Sequence, residues 1–138
     1  MLQNWYYHAI EQLIGNLWTT NPLKVALLKP TYVPDLDNHL TWSQVSGQEV
    51  TGTGYTAGGQ SLATKAAPYT PASDRTDLQA ADVVWSGATF DAGFAAIYDS
   101  SGSQTLWALI DFQGTKSVES GNFTLDFSNI GVLYVVKA

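Results

Sequence analysis

Between Leu2 and Trp18 the apolar residues Tyr6, Ile10, Leu13, Ile14 and Leu17 recur three and four positions apart, the spacing that gathers them on one face of an α-helix. The pattern predicts one helix over residues 2–18, within an N-terminal segment of residues 1–20. Gly15 is expected to weaken its last turn, and Thr19, Thr20 and Asn21 ahead of Pro22 supply a stop. Leu23 to Lys29 is then nearly continuously apolar and is ended by Pro30, which at this length predicts a buried strand. From Thr31 the text becomes irregular. Pro34, Asp35, Asp37 and Asn38, followed by five glycines between Gly47 and Gly59, predict a long Gly-rich loop over about residues 30–60, with one helical turn at Trp42 to Val45.

Beyond that loop the period shortens to two. Ser61 to Ala66, Arg75 to Ala80, Val83 to Trp85, Phe94 to Tyr98, Leu106 to Phe112, Phe123 to Phe127 and Val132 to Val136 are short β-type runs bounded by turn residues. Asp99 to Ser103 reads as one such turn and Gly114 to Ser117 as another. In the run from Phe123 to Phe127, Phe123, Leu125 and Phe127 share one side while Thr124 and Asp126 take the other, the alternation of a half-buried antiparallel strand. The expectation is a mainly β fold: an antiparallel β-sandwich or jelly-roll-like domain of about seven or eight strands with one N-terminal α-helix. Residues 1–138 read as a single domain, with residues 21–138 as its β part.

Composition narrows the functional classes. Apolar residues make up 45% of the chain and charged ones 13%, a balance that suits a folded globule. The formal charge is −6, and Lys24, Lys29, Lys65, Arg75, Lys116 and Lys137 stand far apart, which argues against nucleic acid as a partner. The apolar runs are far shorter than the roughly 20 residues that cross a bilayer, so no membrane span is expected. The N-terminus has aromatic and polar residues where a secretory signal has a basic start and an apolar centre, so synthesis and assembly in the cytoplasm are expected.

Catalytic chemistry finds little to work with. There are no cysteines, and the two histidines, His8 and His39, are far apart, so no metal site and no cofactor are expected. Asp35-Leu36-Asp37-Asn38 has the opening of a calcium loop but lacks its later glycine and glutamate; turn chemistry accounts for it better. The stretch Gly52 to Gly59 lacks the lysine and following helix of a phosphate-binding loop, and reads as a structural loop with positive-φ glycines. Asp111 and Asp126 fall on neighbouring β-runs, yet solvated strand faces explain them as well as an acid and base pair does. The expectation is that the protein is not an enzyme.

Aromatic residues are more informative. Trp18, Trp42, Trp85 and Trp107 are expected mostly in the core, whereas Trp5, Tyr6 and Tyr7 lie together at the start of the helix and cannot all face one domain, which marks a docking surface. Trp42 and Tyr55, in the long loop, are the further candidates for an interaction surface, and sugar binding would need their rings exposed.

Five pieces of the chain carry a family resemblance: LKVALLKPTYVPDLDNH at residues 23–39, EVTGTGYTAGGQSL at 49–62, DRTDLQAADVVWSGAT at 74–89, AAIYD at 95–99 and LIDFQG at 109–114. Together they resemble a set of small proteins found among the virion structural genes of tailed bacteriophages and prophages. The residues before Leu23 depart from that pattern. The resemblance implies a non-enzymatic building block of the particle with a β-sandwich fold, and carries over no catalytic residue. The position it favours is a capsid decoration or cement protein, a homo-oligomer with the major capsid protein or other virion proteins as partners; a tail, neck or fibre component and a carbohydrate-binding module are the alternatives.

Overall fold

A computed structural model describes residues 1–2, 4, 6–127 and 133–136; Trp5, Val132 and Lys137 lie outside the described residues. The protein is mainly β and antiparallel with an N-terminal helix, as the hydrophobic pattern predicts. It forms two compact units interleaved along the chain: one takes residues 1–21, 63–82 and 126–138, the other residues 22–62 and 83–125.

In the first unit, helix α1 runs from Tyr7 to Thr20, with Tyr6 already extended before it. The buried stripe is Glu11, Gly15 and Trp18, each one residue on from the apolar series Ile10, Ile14 and Leu17. A one-residue displacement rotates a helix by about 100°, so Leu13 at 60% exposure, Leu17 and Tyr6 face solvent instead of the core. Two interactions select this rotation. Trp18 is completely buried, and its indole N–H donates to the Gln79 carbonyl at 2.9 Å. Gly15, expected to weaken the helix, is instead its point of closest packing: a Cβ there would lie 3.1 Å from Ala67 Cβ. Thr19 and Thr20 return their hydroxyls to the Gly15 and Asn16 carbonyls, and the Asn21 N–H donates to the Leu17 carbonyl as the chain leaves in extended conformation. The same unit contains strands β3 (Tyr69–Thr70), β4 (Arg75–Leu78) and β7 (Leu133–Val136) in an antiparallel sheet of order β3-β4-β7.

The second unit is a four-stranded antiparallel sheet of order β2-β1-β5-β6, where β1 is Leu23–Leu28, β2 Gln60–Ser61, β5 Val83–Asp99 and β6 Leu106–Leu125. Strand β1 is buried almost throughout, as its unbroken apolar text requires, because it lies between two neighbours and under the long loop. The expected run Ser61 to Ala66 contributes only its first residue to strand β2, because Thr64 turns to positive φ.

Runs expected as separate strands are joined. Val83 to Trp85 and Phe94 to Tyr98 are the two ends of β5, while Leu106 to Phe112 and most of Phe123 to Phe127 belong to β6. The expected turn at Gly114 to Ser117 does not reverse the chain. Ala92 pairs with Lys116 and Phe94 with Asp111, so two steps along β5 match five along β6, and the surplus is a large bulge with Gln113 and Gly114 at positive φ. A bulge and a turn use the same residue types, so composition cannot separate them. The Asp99 to Ser103 turn does reverse the chain, with the Asp99 carboxylate accepting the Ser101 N–H. Among the described residues no helix is long and apolar enough to cross a membrane.

Candidate functional site

The long loop is held by its own chemistry. After Pro30 the chain stays irregular until helix α2 (Trp42–Val45), where the Thr41 and Gln44 side chains form a reciprocal capping box. Upstream, Asp35 accepts the Asn38 amide side chain at 2.9 Å, the Asn38 N–H at 3.1 Å and the Asp37 N–H at 3.3 Å. The Asn38 bonds above all hold its carboxyl below the usual aspartate range. This is the turn chemistry expected of Asp35, Asp37 and Asn38. His39 shares a 2.9 Å hydrogen bond with the Tyr32 hydroxyl.

The glycine-rich stretch lies flat on the sheet. Val50 donates to the Leu27 carbonyl, and Thr89 to the Thr53 carbonyl, so loop backbone bonds to both central strands. Glu49 clasps the loop from within, accepting the Tyr55 hydroxyl at 2.8 Å and the Gly58 N–H at 2.7 Å, while the Tyr98 hydroxyl donates to the Gly58 carbonyl at 2.7 Å. Burial first, and the Glu49 carboxylate besides, push the Tyr55 hydroxyl well above its ordinary pKa, so it remains a donor. The segment Glu49 to Gly59 therefore folds onto its own sheet, with Gly54, Gly58 and Gly59 at positive φ. Replacing Glu49 by alanine is expected to cost about 2–3 kcal/mol, the worth of hydrogen bonds to a charged acceptor less what water restores; Glu49→Gln should lose about half of that. Urea denaturation of the two variants checks the order.

The five aromatic candidates separate sharply. Trp42 is only 7% exposed and stacks on Tyr98 with centroids 4.5 Å apart and planes 8° from parallel. The Tyr55 ring stacks beside Trp85 and meets Phe90 edge-on, and its hydroxyl also accepts the Leu27 N–H. The buried Trp42 ring offers no free face for sugar stacking, while Tyr55 is half-buried. Trp42 is a core residue because α2 turns its side chain inward against Ala26, Leu28 and Ala96. Trp5 lies outside the described residues. Tyr6 is 89% exposed, and Tyr7 is exposed to a lesser degree.

Exposed apolar side chains occur in both units, Val84 and Tyr134 among them, and two groups are close in sequence. On α1 one consists of Leu13 and Leu17 with Tyr6 ahead of the helix; in the long loop the other consists of Val33, Leu36 and Leu40. Leu13 and Leu17 belong to the apolar face that the helical spacing predicts. The loop trio has a local signal in Pro34 and in the Asp35 turn, which fixes Leu36 between two polar residues and holds it out of the core.

Asp111 accepts the Gln113 N–H at 2.8 Å and shapes the bulge of β6, and Asp126 follows the end of that strand. Among the described residues no group of three or more His, Asp or Glu is placed to hold a metal ion. No protein-family model, curated protein or solved structure matches the chain.

Proposed function

We propose that the protein is a structural component of a tailed-phage particle, most simply a decoration protein that cements the capsid by binding the major capsid protein and copies of itself. The observation that carries this reading is the outward face of α1. The helix exposes Leu13 and Leu17, with Tyr6 exposed just ahead of it, while Glu11 is inside. Exposed apolar side chains on a rigid helix are what a subunit needs to attach to a lattice, and a second apolar group at Val33, Leu36 and Leu40 serves a second neighbour. Attachment at two faces suits a repeated, symmetric setting. The net charge of −6 keeps free subunits apart before assembly.

Two measurements test it. Quantified in purified particles, the protein should approach the copy number of the major capsid protein, because a cement follows the capsid lattice; a few copies per particle would assign it to tail, neck or fibre. Absence from the particle would overturn the proposal. The double substitution Leu13→Gln and Leu17→Gln should change folding stability by no more than about 1 kcal/mol, as largely exposed positions occupied by a good helix former do, yet reduce particle binding at least about tenfold, equivalent to about 1.4 kcal/mol. Undiminished binding would remove α1 as the attachment face.

A further inference from the structure

Glu11 is the most anomalous side chain in the first unit. It is 1% exposed, both carboxylate oxygens are buried, and neither has a hydrogen-bond partner. Buried carboxylates are ordinarily paired, since the charged form loses its hydration and gains nothing in return. Among the described residues the basic side chain within 4.0 Å is His8, whose Nδ1 stands 4.0 Å from Glu11 Oε2, beyond hydrogen-bond reach. Beside Glu11 lies a cleft of about 300 Å³ lined by His8, Glu11, Gln12, Asn16, Tyr69 and Thr76.

We propose that this cleft binds a guanidinium group on the Glu11 carboxylate, with the Tyr69 ring as its flat wall. Two features select guanidinium over other cations. Both oxygens lack donors, and a guanidinium fork supplies two parallel N–H bonds where an ammonium acts as a point charge. The Tyr69 ring already carries a planar, cation-capable group: the His8 imidazole lies over it with centroids 4.6 Å apart and planes 45° apart. Guanidinium stacks on aromatic faces in the same way. His8 is 53% exposed, so a rotamer change moves its ring aside and opens the carboxylate from the solvent side. Tyr69 is anchored for this role by its hydroxyl, which donates to Asp74 at 2.9 Å. The ligand does not come from another copy of this chain by any free arginine: Arg75, the single arginine of the sequence, is paired with Asp77 at 2.5 Å and lies 4.3 Å over the Tyr134 ring. The guanidinium therefore belongs to an arginine of a different protein or to a free small molecule. This inference stands on the cleft alone and does not depend on the virion reading.

The test is a titration of the full chain with methylguanidinium, followed through the side-chain carboxyl carbons of its glutamates by NMR, with Glu49 and Glu119 as internal references. The expected result is a saturable shift at Glu11 with the references unmoved, an affinity for methylammonium at least several-fold weaker, and at least a tenfold loss of methylguanidinium affinity in Glu11→Gln. The Glu11 carbon itself reports binding in the unaltered protein, so the test survives if that variant fails to fold. A neutral peptide containing one arginine separates the sources: tighter binding than methylguanidinium indicates a protein arginine, weaker binding a free ligand. No saturable response at Glu11, or a response that methylammonium reproduces in full, overturns the proposal.

Discussion

Substituting alanine for Gly59 is expected to destabilise the protein by about 2–5 kcal/mol and to release the loop from the sheet. Gly59 has φ +71, and a Cβ there would lie 2.0 Å from the Val25 carbonyl oxygen and 2.7 Å from Ala26 Cα. Both obstacles are backbone atoms of β1, a strand paired on both sides, so no rotamer change relieves the overlap. The left-handed conformation costs an L-residue about 1–2 kcal/mol, and forcing extra volume into a packed site typically adds about 1–3 kcal/mol. Gly47→Ala is the control: φ there is ordinary and nothing lies within 4 Å of the added Cβ. Its effect should stay within about 0.5 kcal/mol. Chemical denaturation of both variants, with proteolysis to detect loop release, measures the difference; equal stabilities would mean that the loop does not pack on β1 as described.

The second large effect is expected at Trp42. Truncation to alanine should cost about 3–5 kcal/mol, the usual range for an aromatic lost from a core. Trp42 is stacked on Tyr98 and belongs to a cluster with Ala26, Leu28, Tyr32, Val45 and Ala96, so its removal also strips the loop of its anchor. Trp42→Phe keeps the stacking and much of the buried area, and should recover more than half of the loss. The experiment separates two roles for the same side chain. A ring used to stack on sugar is dispensable to folding, and Trp42→Ala would then melt like the parent; a core ring lowers the transition in proportion to its buried area. Near-ultraviolet circular dichroism should change with the stability.

The sequence alone determined the elements whose cause is local. The helix expected over residues 2–18 is present because apolar positions recur at helical spacing, although it begins at Tyr7 and continues through Thr19 and Thr20. Strand β1 matches its apolar stretch, and Trp42 to Val45 form the expected turn because Thr41 and Gln44 cap it from adjacent positions. Asp35 and Asn38 make the expected turn for the same reason, since both partners lie within four residues. Positive φ at Gly54, Gly58 and Gly59 was likewise written in the glycines themselves.

Tertiary structure decided whatever depends on a distant partner. The rotation of α1 follows from Trp18 reaching Gln79 and from Gly15 meeting Ala67, contacts no periodicity along the helix contains, and it alone determines that Leu13 and Leu17 face outward and Glu11 inward. Trp42 and Tyr55 look alike in the text, two aromatics in a polar loop, until Tyr98, Trp85 and Phe90 close over them. Whether Gly114 to Ser117 reversed the chain or bulged it was settled by the pairing partner, because β5 continues straight through where β6 takes up its extra residues. Nothing in the periodicity singles out Glu11; the packing of α1 against β4 and the segment before it buries that side chain.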